Sequence, residues 1–141
     1  DKAYFGEKDA QQLAVIKRMV TDLNMDIEIV GCPIIREADG LAKSSRNTYL
    51  SQESRKQAVI LSKAIFLGKK MVEDGERDAA KIKKAMTDLI NTMPLATIDY
   101  VEIVDGMTMQ SIDTLKGDIL CAIAVNIGGE ARLIDNFHYT V

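Results

Sequence analysis

The sequence is poor in the residues that usually announce chemistry. It holds one histidine and two cysteines in 141 residues. His138 has no cysteine or acidic cluster near it at ligand spacing, which argues against a metal centre. Cys32 and Cys121 lie far apart in apolar runs, and are most simply buried, reduced thiols of a cytoplasmic protein. No serine has an obvious base beside it, so no nucleophile–base pair stands out. Chemistry, if present, must rest on positioning and electrostatics. Long apolar runs are missing too. The longest, Ile119 to Val125, is far too short to cross a bilayer, which argues against a membrane partner. No basic stretch leading into an apolar one opens the chain, so no signal peptide is expected. Nor does one charge dominate: a net charge of -3 with both signs interleaved argues against nucleic acid as a partner. There is no repeat and no low-complexity linker.

What remains is a chain with 47% apolar residues, enough for a packed core. Its length suits one ordinary domain, or a small domain plus a piece of another. Asp1 rather than methionine comes first and an apolar segment follows almost at once, so the sequence is expected to be cut from something longer. Ala3 to Gly6 reads as the end of a strand. Asp9 then opens a helix with Leu13, Ile16, Val20 and Leu23 at helical spacing and Asn24 as its stop. Asp26 to Ile35 reads as a second strand, which makes a parallel crossover unit. Such a pair has bare edges and should continue into more sheet.

Arg36 to Leu50 is polar and irregular. Ser51 can cap a long helix to about Asp74, with Ala58, Leu61, Ile65 and Val72 on one face and Gly75 as its stop. Asp78 can cap another, with Ile82, Met86, Leu89 and Met93 as its stripe and Pro94 ending it. The seven methionines mostly suit helical core positions. Lys69–Lys70 and Lys81, Lys83 and Lys84 read as solvated helix faces. Ile98 to Val104 and Ile119 to Val125 read as strands, the second buried on both faces. Gly128–Gly129 turns the chain back through Ala131 to Ile134. Asp105–Gly106 and Asp135–Asn136 read as turn or strand-end residues with structural roles. Met107 to Ser111 has no evident physical reading.

Two segments could carry function. Gly6-Glu7-Lys8-Asp9, with Gln11-Gln12, sits where a strand turns into a helix. Ligands collect there in open parallel sheets, helix N-termini favour anions, and Lys8 adds positive charge. The same residues also fit a capping box, with Asp9 as cap and Gln12 reaching back. The second segment, Lys43-Ser44-Ser45-Arg46, offers cations, hydroxyls and backbone N–H groups suited to a polyphosphate. An ordinary solvated loop would use similar residues.

Taken in order, FGEKDAQQL, VGCPIIREADGLAKSSRNTYLS and NIGGEARLIDN resemble the pantothenate synthetase family, the pantoate–β-alanine ligases. The likeness runs along the whole chain and is strongest over residues 4–51. It implies an α/β fold: the last crossover unit of a Rossmann-like nucleotide-binding domain (residues 1–38), then a small α+β lid domain with helices on an antiparallel sheet (residues 39–141). It implies ATP-dependent condensation of pantoate with β-alanine through pantoyl adenylate, with release of AMP and pyrophosphate. Gly6, Glu7, Lys8, Asp9, Ile35, Lys43, Ser44, Ser45 and Arg46 would then line the ATP site. Lys8, Ser44, Ser45 and Arg46 would take catalytic roles on the phosphates, and Gln12 would hold pantoate and then β-alanine. Lys43 stands where the family often has Met or Leu. Mg2+ would be ligated mainly by groups outside this chain, and the family's His-x-x-His motif, which stabilises the triphosphate, would lie outside it too. The resemblance therefore implies a C-terminal portion, incomplete as a catalyst alone, of a cytoplasmic enzyme that is a homodimer at full length. Two other readings stay open. One is a different nucleotidyltransferase-superfamily enzyme; the other is a non-catalytic dimerising or regulatory α+β module.

Overall fold

The computed structural model describes all residues from Asp1 to Val141. They form two compact units, Asp1–Ile35 and Arg36–Val141.

The first unit is one crossover. Strand β1 (Lys2–Gly6) runs into helix α1 (Ala10–Asp22), which returns the chain to strand β2 (Glu28–Cys32). The strands pair in parallel, from Lys2 opposite Glu28 to Gly6 opposite Cys32. Asp9 caps α1, its carboxylate accepting from the Gln12 backbone N–H at 3.1 Å. Asn24, at φ 49°, ends it in the left-handed conformation that asparagine tolerates. The strand pair is a narrow platform for this helix. Ala10 and Leu13 are buried, Ile16 and Val20 are half-buried and Leu23 is 66% exposed, so the apolar stripe expected from spacing loses its cover toward its end.

The second unit lays helices on an antiparallel sheet, and the chain as a whole is an α/β protein. Helices α2 (Gln52–Ala58), α3 (Ile60–Glu73) and α4 (Ala79–Ile90) precede strands β3 (Ala96–Asp105), β4 (Asp118–Ile127) and β5 (Ala131–Thr140). Strand β4 lies in the middle. The single long helix expected after Ser51 is interrupted at Val59. The buried Ser62 hydroxyl donates to the Val59 carbonyl at 2.9 Å, and such back-bonding bends helices. Ser51, Gly75 and Asp78 take their expected cap and stop positions, Gly75 with φ 107°.

Alternation along β4 sends Ile119, Cys121, Ile123, Val125 and Ile127 into one core. There they join Ala58, Leu61, Ile65, Val72, Ile82, Met86, Ile90, Ile103, Leu133 and Phe137. Leu120 and Ala124, on the other face, are buried too, so this strand is covered on both sides as its continuous apolar run implies. The methionines are more dispersed than their spacing suggested. Met86 is fully buried, but Met107 is 83% exposed. Burial pushes the Cys121 thiol up to about 12, because a thiolate would be desolvated there. A thiol reagent at neutral pH should therefore leave Cys121 unmodified until the protein unfolds; rapid labelling of folded protein at this residue would contradict the packing.

The tip of the β4–β5 hairpin is Gly128-Gly129-Glu130. Both glycines have positive φ, 60° and 68°, and the Glu130 N–H donates to the Ile127 carbonyl at 3.0 Å. This is the turn geometry that matches strand twist and that glycine adopts without strain. Met107 to Ser111 also gains a physical account. The Asp105 carboxylate accepts the Met107 and Thr108 N–H groups at 2.8 and 2.9 Å, and Ser111 bridges back to Val104. These bonds hold the Asp105 carboxyl below the usual range.

Asp135 is not at a strand end. It lies inside β5, fully buried, and receives a two-pronged hydrogen bond from Arg36 at 2.7 and 2.9 Å. The Arg36 guanidinium also donates to the Gly40 carbonyl at 3.0 Å and lies 5.0 Å from the Phe66 ring centroid. This bond places Arg36 in the second unit, and the break between units falls after Ile35.

Candidate functional site

In the first unit, β1 delivers Gly6 to the sheet's carboxyl end, and the Glu7 N–H continues the ladder by donating to the Cys32 carbonyl at 2.8 Å. Lys8 is half-buried in the turn before α1. Half of the expected capping box is made: Asp9 accepts from Gln12 N–H, but the exposed Gln12 side chain makes no bond back. Gly6 does not have positive φ, and a methyl group added to it would meet nothing within 4 Å. The fold itself therefore gives no steric reason for glycine here. Ile35, the last residue of this unit, is 69% exposed.

In the second unit, the polar stretch from Arg36 to Leu50 is thoroughly tied down. Glu37 N–H donates to the Leu41 carbonyl at 2.7 Å, and Arg36 pairs with Ala42. Gly40 has φ 98°, and an added methyl would lie 3.0 Å from the Ser62 hydroxyl, so glycine allows this turn to rest on α3. Arg55 grips both oxygens of Asp39 at 2.8 and 3.1 Å, holding that carboxyl below its ordinary range. Leu41 and Ala42 are buried beneath.

A short 3₁₀ turn, Ser45–Tyr49, follows, capped by Ser44. The Ser44 hydroxyl oxygen accepts from Arg46 N–H at 3.2 Å, which leaves its proton able to donate elsewhere. Lys43, Ser45 and Arg46 are exposed. The Asn47 side-chain amide donates to the Ala42 carbonyl at 3.2 Å, while its oxygen is buried with no hydrogen-bond donor. Arg46 spends one guanidinium N–H on the Arg132 carbonyl at 3.2 Å, out of the five donors an arginine has. The turn thus presents hydroxyls and a guanidinium on a fixed backbone, an arrangement suited to an anion with several oxygens.

Residues that support this turn escape a reading of the sequence alone. Glu130, seen in sequence only as the end of a glycine turn, accepts from Ser51 N–H at 2.8 Å, from the Ser51 hydroxyl at 2.9 Å and from the Ser54 hydroxyl. The bonds from Ser54 and then Ser51 hold the Glu130 carboxyl below its usual range. A lowered value means that the tie contributes fully above the ordinary carboxylate range and is lost as pH falls through the lowered one. No group of three or more His, Cys, Asp and Glu side chains gathers where a metal ion could be held. No helix is long and apolar enough to cross a membrane.

A parallel crossover unit followed by helices on an antiparallel sheet defines the class: an α/β protein. The chain belongs to the pantoate-beta-alanine ligase family, whose model matches residues 1–138. It is 63% identical over 139 residues to pantothenate synthetase from Ruminiclostridium cellulolyticum, covering 99% of this chain and 49% of that protein. With the Clostridium acetobutylicum pantothenate synthetase, identity is 61% over 141 residues, covering 100% of this chain and 50% of that protein. Among solved structures, pantothenate synthetase from Thermus thermophilus superposes with a TM-score of 0.90 at 41% identity, covering 96% of this chain and 49% of that one. A Francisella tularensis pantoate-beta-alanine ligase, solved with beta-gamma ATP and beta-alanine, superposes with a TM-score of 0.59 at 26% identity, covering 96% and 42%. The chain thus spans about half the length of the relatives it matches.

Proposed function

We propose that these residues form the C-terminal part of an ATP-dependent ligase that joins pantoate to β-alanine. The family match over residues 1–138 carries this reading. A pantoate carboxylate oxygen attacks the α-phosphorus of ATP, forming a P–O bond and expelling pyrophosphate. The β-alanine amine then attacks the acyl carbon, forming the amide, expelling AMP and losing a proton. Little covalent help is needed for the first step; negative charge must be held and aligned. Lys8, Ser44, Ser45 and Arg46 are assigned to the phosphates. Gly6, Glu7, Asp9, Ile35 and Lys43 line the nucleotide, and Gln12 holds pantoate and then β-alanine. The residues present offer no carboxylate cluster for Mg2+, so no step is assigned to the ion here. The rest of the pocket comes from the remainder of a full-length protein, read as a cytoplasmic homodimer, with residues 1–38 closing its nucleotide-binding domain and 39–141 acting as a lid.

The test is ATP titrated calorimetrically into the full-length protein, with AMP and pyrophosphate release followed in the presence of both acids. Absence of binding and turnover would sink the reading. Gly6 sharpens it. A Gly6→Ala change should leave the melting temperature unchanged or slightly raised, since glycine in a strand costs about 0.5–1 kcal/mol relative to alanine. ATP affinity should nonetheless fall about tenfold, equivalent to about 1.4 kcal/mol, as the new methyl enters space assigned to the nucleotide. Unchanged affinity would remove Gly6 from the site.

A further inference from the structure

The β4–β5 hairpin is bonded at two places to the stretch that holds Ser44, Ser45 and Arg46 and runs on into α2. Upstream, Arg46 donates to the Arg132 carbonyl at the start of β5, at 3.2 Å. Downstream, Glu130 takes the backbone N–H and hydroxyl of Ser51 and the hydroxyl of Ser54. Ser51 is the cap of α2 and lies two residues past the end of the 3₁₀ turn. A second, independent feature presses the same surfaces together. A methyl added to Gly128 would lie 2.5 Å from the Ser54 hydroxyl, so the hairpin backbone sits against α2 as only glycine permits.

These contacts do little for the core, since Glu130 is exposed and solvent weakens polar ties at such sites. What they do is geometric. The turn is referred to one hairpin at two places, through the Arg46 side chain within it and through Ser51 just past its end, so Ser44, Ser45 and Arg46 are held in register with that hairpin. We infer that Glu130 is a positioning residue: its carboxylate, by bridging Ser51 and Ser54, sets where the Ser44–Arg46 turn meets the phosphates of its nucleotide. This rests on the assignment of that turn to ATP made above. Glu130 touches no reacting atom, and its effect passes through Ser51 and the turn.

Full-length protein carrying Glu130→Ala or Glu130→Gln is compared with the unaltered protein by steady-state kinetics in each substrate and by thermal melting. Glutamine keeps an acceptor for the two hydroxyls but cannot serve every donor that meets the carboxylate. The expected order of kcat/KM for ATP is therefore unaltered, then Gln, then Ala. The Ala variant should lose on the order of 10²-fold, as displacement of a positioned group by about 1 Å can cause. The kcat/KM for β-alanine should stay within about twofold, because pyrophosphate has left before the amine attacks. Melting temperatures should shift by only a few degrees. Equal losses for ATP and β-alanine, or a lower melting temperature with unchanged ATP kinetics, would reduce Glu130 to a structural tie. Tighter ATP use by either variant would show that its charge opposes the nucleotide, and would also overturn the inference. If Ala prevents folding, the Gln variant decides on the same criteria. Unaltered protein that binds ATP, beside variants that behave identically, rejects the role of Glu130 alone. Failure of the unaltered protein to bind ATP rejects the turn assignment, and this inference with it.

Discussion

Replacing Arg46 by alanine in the full-length protein should lower the rate of AMP release about 10²–10³-fold, the usual effect of deleting one preorganised donor at developing charge. The side chain is exposed and makes one hydrogen bond, to the Arg132 carbonyl, so the melting temperature should barely change. That bond aims the guanidinium without exhausting its donors. Arg46→Lys should fall between the two, since lysine keeps the charge but cannot present a planar fork to phosphate oxygens. The decisive measurement is turnover at saturating pantoate and β-alanine while ATP is varied. If Arg46→Ala turns over normally, the phosphate assignment of the whole turn fails, because Arg46 is its one exposed guanidinium.

The second large effect concerns stability. Asp135 has a fully buried side chain, and its Arg36 partner is 20% exposed. Changing Asp135 to alanine leaves a guanidinium without its carboxylate over Phe66. Breaking one half of a buried pair costs about 3–5 kcal/mol, which for a domain of this size lowers the melting temperature by more than about 10 °C. The double change Arg36→Met with Asp135→Leu should recover most of that loss, since well-packed apolar residues often replace a buried ion pair without penalty. Thermal melting of the single and double variants checks this. A single variant that melts within a degree or two of the unaltered protein would mean the pair is held loosely in solution.

What the sequence disclosed and what it hid divide by distance along the chain. Asp9, Ser51 and Asp78 were legible as caps because each bonds a backbone N–H two or three residues away. Gly128–Gly129 was legible because a tight hairpin demands positive φ. The polar segment at 43–46 could be singled out because its composition suits nothing in a core. What holds that segment could not. Arg36 and Asp135 are 99 positions apart, Arg46 and Arg132 are 86, and Ser51 and Glu130 are 79. No local pattern encodes such partners. Asp135 looked like a turn residue because buried carboxylates are rare, and only its arginine explains it. The break at Val59 was equally hidden, since a serine pattern does not say whether its hydroxyl bonds back to the helix.

The Arg36–Asp135 bridge also orders events in the making of the protein. Arg36 leaves the ribosome 99 residues before Asp135 does, and Asp135 belongs to the last strand. Until that strand is synthesised and zipped onto β4, the arginine has the Gly40 carbonyl and the Phe66 ring but lacks its carboxylate. The segment assigned to the nucleotide would then be among the last parts of a nascent chain to settle, after the helices on whose surface it rests.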